Sequence, residues 1–280
     1  MELSYLINSI YMISPICRNR LYQLLNKFTR SYSKTDVEFL YQLIENKEPD
    51  KKIIEWIITK KATLKEITMD SKKRGEKFSL EWNEVLEGIK HPQFSTYLDI
   101  GCNTGSITVP FGQKLGLKSD KIYGIDVTNF GAQKIKPVSG FVYTQYDGYR
   151  IPHADSMFDV VTCSMVLHHV EYPQILLPEI RRVMKSDAIL LIKEHNCYEP
   201  VLEWMIELEH LLYEVTDTDT TYDEFKKRYF QKLFTKKSLD TLMYSNGFTK
   251  MKIRSPKINQ KYYTYNPTKN FYRVYVKTNI

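Results

Sequence analysis

Apolar residues recur with two different periods along the chain, and the period changes near residue 95. Before this point they stand three and four positions apart, as on one face of an amphipathic helix. From Ser95 onward, short runs of consecutive apolar residues alternate with stretches of helical spacing. Such runs are typical of strands that are buried on both faces of a sheet. The pattern therefore predicts a helical N-terminal extension, residues 1–92, and an α/β domain, residues 93–280.

Individual elements can be placed from caps, prolines and apolar runs. Thr35-Asp36-Val37-Glu38 has the form of a capping box and predicts a helix start, and Pro49 precedes another helical segment, residues 51–61. In the second part, the alternation favours a largely parallel sheet with an antiparallel C-terminal edge pair, interrupted by a helical insertion at about 197–236. The predicted strands are 96–100, 121–126, 141–145, 158–163, 188–194, 249–254 and 271–277, and further predicted helices are 78–89, 175–184, 199–213 and 237–245.

A glycine-containing loop follows the first of these strands. The segment Tyr97-Leu98-Asp99-Ile100-Gly101-Cys102-Asn103-Thr104-Gly105 contains two glycines, which let a backbone approach a ligand closely. An α/β sheet presents the end of its first strand to nucleotide-like ligands in this way. The G-x-G-x-x-G fingerprint of dinucleotide binding fits poorly, because Asn103 stands where its central glycine falls and Ser106 follows the last glycine.

Four ordered segments together resemble one family. They are Asp99–Gly105, Tyr123-Gly124-Ile125-Asp126, Ser156-Met157-Phe158-Asp159-Val160-Val161 and Met165-Val166-Leu167-His168-His169-Val170. With them, residues 95–195 resemble class I S-adenosylmethionine-dependent methyltransferases, and in particular the UbiE-like group, also called type 11. The resemblance implies a Rossmann-like, doubly wound sheet of seven mostly parallel strands. It also implies S-adenosylmethionine as the cofactor and methyl transfer as the activity.

The resemblance assigns roles to residues at the strand ends. The glycine loop would wrap the amino-acid end of the cofactor, Asp126 would accept hydrogen bonds from both ribose hydroxyls, and Asp147 would meet the adenine amino group. Ser164 and Met165 would lie beside the sulfonium. The cofactor-binding residues implied by the resemblance are Asp99, Gly101, Cys102, Asn103, Gly105, Asp126, Val127, Asp147, Gly148, Ser164 and Met165.

Three histidines and one acid near the ends of the fourth and fifth strands are the candidates for catalysis. His168, His169, Glu194 and His195 can orient or deprotonate a methyl acceptor. The alternative for the adjacent histidines is that they only pack beside the cofactor. Because displacement at a sulfonium needs alignment more than activation, no metal is expected.

Two positions depart from the pattern of the family. Asn103 replaces a usual glycine, and asparagine adopts a left-handed backbone more readily than most residues but less freely than glycine. Lys185-Ser186-Asp187 stands where the family usually has a Lys-Pro-Gly-Gly turn before the fifth strand. The first departure keeps a non-catalytic, cofactor-binding partner subunit open as an alternative function.

Charge is distributed unevenly along the chain, whose net charge is +7. Residues 226–280 carry fourteen Lys and Arg with one acid, Asp240, and many aromatic residues. Cations for phosphate together with rings for stacking favour single-stranded nucleic acid, so this basic tail predicts RNA as the methyl acceptor. Residues 199–224 hold nine acids and no Lys or Arg, so neutralisation within the protein is the alternative. A small-molecule or lipid-like acceptor, as in UbiE-like relatives, and a protein acceptor remain open.

Cysteine usage and hydropathy suggest an intracellular protein. The four cysteines are scattered without a CxxC pair, so neither a zinc site nor a disulfide framework is expected. The longest apolar runs fall short of the about 20 residues of a membrane span, and the acidic start is not typical of a secretory signal. A cytoplasmic location is therefore expected. The N-terminal helices can bind a partner protein, cap the site or complete the core.

Overall fold

The computed structural model describes most of the chain. The described residues are 15, 19, 21–24, 33–46, 48, 50–59, 71–89, 93–129, 136–197, 200–217, 221–254, 256 and 270–278. The helices are α1 (Lys34–Glu45), α2 (Asp50–Thr59), α3 (Ser71–Leu86), α4 (Thr108–Lys114), α5 (Pro173–Val183), α6 (Pro200–Asp217), α7 (Tyr222–Arg228) and α8 (Lys236–Ser245). The strands are β1 (Tyr97–Ile100), β2 (Ile122–Asp126), β3 (Val142–Gln145), β4 (Phe158–Ser164), β5 (Met184–His195), β6 (Phe248–Lys250) and β7 (Asn270–Lys277). Among these described helices, none is long and apolar enough to cross a membrane.

The strands form one seven-stranded sheet in the order β3-β2-β1-β4-β5-β7-β6. Strands β1 to β5 pair in parallel, and β7 pairs antiparallel with both β5 and β6. The parallel pairing brings the carboxyl ends of β1 to β5 to one edge, where ligands bind in open α/β sheets. This edge, with the loops that follow the five strands, is called the strand-end site below. The predicted fold class, including the antiparallel C-terminal edge pair, is confirmed.

Apolar side chains cover both faces of the sheet, as expected for parallel strands. On β1, Tyr97 belongs to one core cluster and Leu98 and Ile100 to the other, because successive side chains of a strand point to opposite faces. Helices α3 and α4 contribute to the cluster of Tyr97, and α5 and α8 to the cluster of Leu98. All four residues of β1 are buried, so the loop that follows it starts from a fixed point.

Helix starts match the sequence in kind but not always in position. The capping box of α1 is formed by Ser33 and Asp36, since Asp36 N–H donates to Ser33 Oγ at 3.2 Å and Ser33 N–H donates to Asp36 Oδ2 at 3.0 Å. The predicted box at Thr35 and Glu38 is therefore wrong by two residues, because hydroxyl and acid occur at the same spacing twice in this segment. Helix α3 begins at Ser71, seven residues before the predicted start at residue 78. The prediction starts too late because the first two turns of the helix are polar and show no apolar periodicity.

Strand β5 also begins earlier than predicted. It pairs with β4 at Phe158↔Met184 and next at Val160↔Ile189, so β5 has three extra residues between these two pairings. Lys185-Ser186-Asp187, interpreted from the sequence as a turn before the strand, therefore lies inside β5 as an irregularity of the bulge type. The unusual sequence at this place changes the pairing of β4 with β5 far from the carboxyl ends of the strands.

The chain divides into two compact units. One consists of Met1–Thr68, Cys197–Leu233 and Tyr263–Lys269, and the other of Met69–Asn196, Phe234–Tyr262 and Asn270–Ile280. The first unit contains α1, α2, α6 and α7, with Ile54, Leu211 and Phe225 in contact in a small apolar cluster. The second unit contains the whole sheet and α3. The domain boundaries predicted from the sequence, 1–92 and 93–280, stay a prediction.

Gly75 lets helix α3 lie directly against the first turn of α4 and the loop before it. An added Cβ there would come within 2.8 Å of both Pro110 Cγ and the backbone oxygen of Ser106. We expect Gly75→Ala to destabilise the protein by about 2 kcal/mol in urea unfolding, because the clash with a backbone atom outweighs the gain in helix propensity. Gly88→Ala is the matched control, since its nearest atom would be 3.8 Å away, and it should change stability by less than about 0.5 kcal/mol. Equal stability of the two variants would contradict this packing.

Candidate cofactor and active site

The loop after β1 has a left-handed backbone at three positions. Gly101, Asn103 and Gly105 have φ angles of +70°, +48° and +81°. A Cβ added at Gly101 or Gly105 would also clash, at 2.3 Å from Val166 or from Phe141 respectively. Asn103 adopts the conformation that its residue type permits, and its Oδ1 accepts from the next backbone amide at 2.6 Å. The chain therefore accommodates the departure from glycine at this position within the loop.

Asp126 ends β2 and ties the loop to that strand. Its Oδ2 accepts from Asn103 N–H at 2.8 Å, and its Oδ1 accepts from the N–H and the O–H of Thr128 at 3.0 and 2.7 Å. Asp126 is 9% exposed, whereas the neighbouring Val127 is 58% exposed. A carboxylate beside an accessible apolar side chain suits a ligand that joins a hydroxylated sugar to a flat base.

Asp147 lies after β3, at the next position along the strand-end site. Its Oδ1 accepts from the backbone N–H groups of Arg150 and Tyr149 at 2.7 and 2.8 Å. These bonds, the one from Arg150 first, lower the pKa of Asp147 below its ordinary value. Gly148 follows with a φ of +90°, which forms the turn. Asp147 is therefore an exposed, ionised acceptor that an amino group can approach.

The end of β4 carries Ser164 and Met165. Met165 has a φ of +59°, which is uncommon for a residue other than glycine. Its N–H donates to the backbone oxygen of Lys193 on β5 at 2.8 Å, so the neighbouring strand holds this conformation. Backbone held in such a region is concentrated at functional sites. The position fits the role beside a reacting group that the resemblance implies for Ser164 and Met165.

Asp99 lies beneath the loop, where it is 5% exposed. Its Oδ2 accepts from Thr108 O–H and its Oδ1 from Thr162 O–H, both at 2.6 Å. Because the Thr162 proton is used in this way, the hydroxyl of Tyr97, at 2.7 Å, donates to Thr162 Oγ. Burial raises the pKa of Asp99 to about 6, although the two threonine hydroxyls oppose the shift. Asp99 thus joins β1 to β4 and α4. The predicted contact of Asp99 with the methionine part of the cofactor stays a prediction.

The four candidate catalytic residues come together after β4 and at the end of β5. Glu194 Oε2 lies 2.6 Å from His168 Nδ1, and both side chains are 1% exposed. The ring of His195 meets the ring of His168 edge to face, with 5.2 Å between the ring centroids. His169 is exposed, and the centroid of its ring lies 4.0 Å from that of His168. A carboxylate bonded to Nδ1–H fixes both the tautomer and the orientation of an imidazole. The geometry is that of a histidine held by an acid.

The two buried cysteines near the loop do not have the character of nucleophiles. Burial raises the thiol pKa of both Cys102 and Cys163 above the ordinary value. Cys102 packs against Gly124, where an added Cβ would lie 2.8 Å from its sulfur. Cys102 is therefore a small apolar residue under the loop, and its predicted contact with the cofactor stays a prediction.

Some residues that complete the site carry no signal in the sequence. Three threonine hydroxyls donate to acids of the site: those of Thr108 and Thr162 to Asp99, and that of Thr128 to Asp126. Lys193 Nζ lies 2.6 Å from Glu81 Oε2 in a buried ion pair that joins β5 to α3. A threonine or an ion pair becomes recognisable only when the fold brings its partner near.

The raised pKa of Asp99 has a consequence for stability. Between the unfolded value of 3.8 and the folded value of about 6, the native state binds a proton that the unfolded chain has lost. The contribution of Asp99 to the free energy of unfolding is therefore lost as the pH rises through 6 and regained on acidification. Relative to Asp99→Asn, the wild type should gain about 1.4 kcal/mol in urea unfolding between pH 7.5 and pH 5. Parallel pH profiles of the two proteins would contradict the buried, protonatable carboxyl.

Comparison with known proteins finds similarity to methyltransferases. A family model described as a methyltransferase domain matches residues 98–192. The ubiquinone/menaquinone biosynthesis C-methyltransferase UbiE of Vibrio parahaemolyticus is 30% identical over 112 residues, which are 38% of this chain and 42% of that protein. The thiol S-methyltransferase TMT1B of Rattus norvegicus is 29% identical over 181 residues, 59% of this chain and 70% of that protein. A methyltransferase solved in complex with the Haloferax volcanii Trm112 methyltransferase activator has a TM-score of 0.52 at 13% identity, over 79% of this chain and 97% of that one.

The fold and the strand-end acids define a class I S-adenosylmethionine-dependent methyltransferase domain. Within this class, the matched segment, residues 98–192, is similar to UbiE. The residues present fit the cofactor: Asp126 is an acceptor for hydroxyls, Val127 offers an exposed apolar surface for a base, and Asp147 is an ionised acceptor for an amino group. The chain spans less than half the length of curated relatives such as UbiE.

Proposed function

We propose that the protein methylates a small-molecule acceptor that carries an acidic proton on oxygen, nitrogen or sulfur. The observation that carries this proposal is the burial of His168, Glu194 and His195, at 1%, 1% and 6% exposure. A nucleic acid acceptor would favour an open, positively charged groove at this place, whereas a small acceptor favours enclosed groups of this kind. The name of TMT1B, a thiol S-methyltransferase, supports an acceptor with a proton on sulfur. The name of UbiE, a C-methyltransferase of ubiquinone and menaquinone biosynthesis, supports a small acceptor but not the acceptor atom.

The chemistry follows from the roles of the named side chains. The loop after β1, Asp126 and Asp147 would hold S-adenosylmethionine, which supplies a methyl group on a positively charged sulfur. Glu194 accepts from His168 Nδ1–H and keeps the imidazole in one orientation. His168 would take the proton of the acceptor when the acceptor receives the methyl group, Glu194 would stabilise the imidazolium that forms, and S-adenosylhomocysteine would leave as its sulfur–methyl bond breaks. Alignment supplies the remaining acceleration.

The test is methyl transfer from S-adenosylmethionine with a deuterated methyl group. The purified protein is incubated separately with metabolites below 1 kDa, a lipid extract, total RNA and protein, and the label is located by mass spectrometry. We expect label in the metabolite or lipid fraction. Label confined to RNA or protein would contradict the small acceptor, and binding of S-adenosylhomocysteine without any transfer would favour the non-catalytic subunit.

Variants connect the activity to the proposed residues. Glu194→Gln and His168→Gln should each lower the rate with the labelled fraction by about 100-fold, as expected for loss of a positioned acid–base group. His153→Gln is the control, because His153 packs against Tyr123 and Phe158 on another part of the sheet. A wild-type rate in both of the first two variants would contradict the proposed base.

RNA is the second candidate acceptor, and a surface groove favours it. The groove has a volume of about 630 Å³, is lined by Lys236, Lys237, Lys250 and Tyr244 among others, and Tyr244 is 75% exposed. Lysines beside an exposed ring suit phosphates and a stacked base. Against this reading, Lys250 already pairs with Asp240 at 2.7 Å. Binding of a labelled RNA oligonucleotide should then be steeply salt-dependent and should weaken in Tyr244→Ala, and salt-insensitive or absent binding would contradict it.

The groove does not adjoin the strand-end site. Lys250 pairs with Tyr275 on β7, five residues from Asn270, which pairs with His195. At about 3.4 Å per residue, this separation along the strand is about 17 Å. Residues 257–265, which carry much of the predicted basic and aromatic surface, lie outside the described residues. RNA binding by the tail, a partner for the N-terminal helices and a cytoplasmic location all stay predictions.

A further inference from the structure

The carboxylate of Asp126 is almost fully occupied by groups of the protein itself. Its two oxygens offer about four acceptor positions. Asn103 N–H takes one position on Oδ2, and the N–H and O–H of Thr128 take both positions on Oδ1. One position, on Oδ2, is left. A ribose diol that donates two hydrogen bonds to Asp126 needs two.

Of the three donors, only the hydroxyl of Thr128 can withdraw at low cost. The two N–H groups belong to the backbone, and the loop of Asn103 is tied to β2 because the N–H groups of Gly101 and Cys102 donate to the backbone oxygen of Ile125 at 2.8 and 3.1 Å. The Thr128 backbone is fixed further because its carbonyl oxygen accepts from Tyr143 O–H at 2.6 Å. The hydroxyl, in contrast, leaves Asp126 by rotation about a single side-chain bond, from a position that is only half-buried.

We propose that the Thr128 hydroxyl is a built-in occupant of the ribose position on Asp126, and that the cofactor binds by exchanging this hydroxyl for one of its own. The inference rests on the cofactor that the proposed function requires. In the free protein the hydroxyl satisfies the carboxylate, because a buried acceptor without a donor is costly. On binding, the exchange of one hydrogen bond for another lowers the net gain. Thr128 therefore sets the affinity for the ribose part of the ligand.

The test is calorimetric titration with S-adenosylhomocysteine of the wild type, Thr128→Val and Thr128→Ser. Valine keeps the shape of the side chain and the backbone N–H but removes the competing hydroxyl. The affinity of Thr128→Val for S-adenosylhomocysteine should therefore be about three- to tenfold higher than that of the wild type. Serine keeps the hydroxyl and should bind as the wild type does. Unchanged or weaker binding by the valine variant would overturn the proposal.

A second pair of ligands separates competition from a structural effect. Adenosine carries the diol, and 2′,3′-dideoxyadenosine does not. Thr128→Val should strengthen binding of adenosine and leave that of the dideoxy compound unchanged, whereas a general change of loop structure would alter both alike and overturn the proposal. Binding of S-adenosylhomocysteine by neither the wild type nor the variant would instead refute the proposed function, and the two failures are thus distinguishable.

Discussion

Replacing Asp126 by alanine should weaken binding of S-adenosylhomocysteine by about 100-fold or more. A hydrogen bond from a ribose hydroxyl to a carboxylate is worth about 1.5–3 kcal/mol, and of the two such bonds to Asp126 one is reduced by the exchange with the Thr128 hydroxyl. The substitution also leaves Asn103 N–H without its acceptor at 2.8 Å, so the loop after β1 loses its tie to β2. Both effects act on the same ligand. The measurement is isothermal titration of the purified variant.

Asp120→Ala is the matched control for this prediction. It removes a carboxylate from the turn just before β2, but the side chain is 68% exposed and its ion pair is with the adjacent Lys121 at 3.6 Å. Its affinity for S-adenosylhomocysteine should equal that of the wild type, because exposed ion pairs contribute little. An affinity of Asp126→Ala within about threefold of the control would refute the assignment of Asp126 to the ribose. Asp126→Asn, which keeps one acceptor oxygen for the loop, should fall between the two.

The second large effect is expected at Gly105. An alanine there would have its Cβ 2.3 and 2.4 Å from two ring carbons of Phe141, in a backbone with a φ of +81°. Overpacking and left-handed strain together should destabilise the protein by about 3 kcal/mol or more in urea unfolding. Because Gly105 closes the loop that would wrap the cofactor, binding of S-adenosylhomocysteine should also be lost at temperatures where the variant is still folded.

Gly116 allows the two causes to be separated. Its φ is +80°, nearly the same as that of Gly105, but an added Cβ would have no atom within 4 Å. Gly116→Ala should therefore cost only the strain, about 1 kcal/mol, and should leave ligand binding unchanged. If Gly105→Ala and Gly116→Ala lowered the free energy of unfolding by the same amount, the predicted clash of the added Cβ with Phe141 would be contradicted. Phe141→Leu in the Gly105→Ala background should recover part of the difference.

The sequence predicted the strands well wherever apolar runs had clear ends. Strands β1 to β4 each begin or end within one residue of the prediction, because Asp, Gly or a polar pair bounds every run. The start of β5 was missed because Lys185-Ser186-Asp187 is polar and yet continues the strand through an irregular pairing. Strand β6 is shorter than predicted, since only Phe248, Thr249 and Lys250 pair with β7. Pairing depends on the neighbouring strand, which local composition does not reveal.

The sequence predicts which residues form the candidate site, but not their hydrogen-bond partners or pKa values. The order of glycines, acids and histidines along the chain gave Asp126, Asp147 and the His168 segment, because these follow strands whose carboxyl ends share one edge. Whether an acid is open or occupied depends on hydroxyls that the fold brings from elsewhere. Asp99 is engaged by Thr162, a residue 63 positions away, and Glu194 meets His168 across 26 positions. Because these contacts join residues far apart in sequence, the local sequence does not predict the raised pKa of Asp99.

The place of β7 in the sheet has a consequence for how the protein is made. This strand lies between β5 and β6, and its pairing of His195 with Asn270 joins residues about 75 positions apart. During synthesis, β5 therefore emerges from the ribosome long before its neighbour, with one edge open over a run of buried apolar residues. An open apolar edge is a site for aggregation, and non-local pairing of this kind slows folding. We expect nascent chains that stop before residue 270 to recruit chaperones, whereas chains that include β7 complete the sheet and are released.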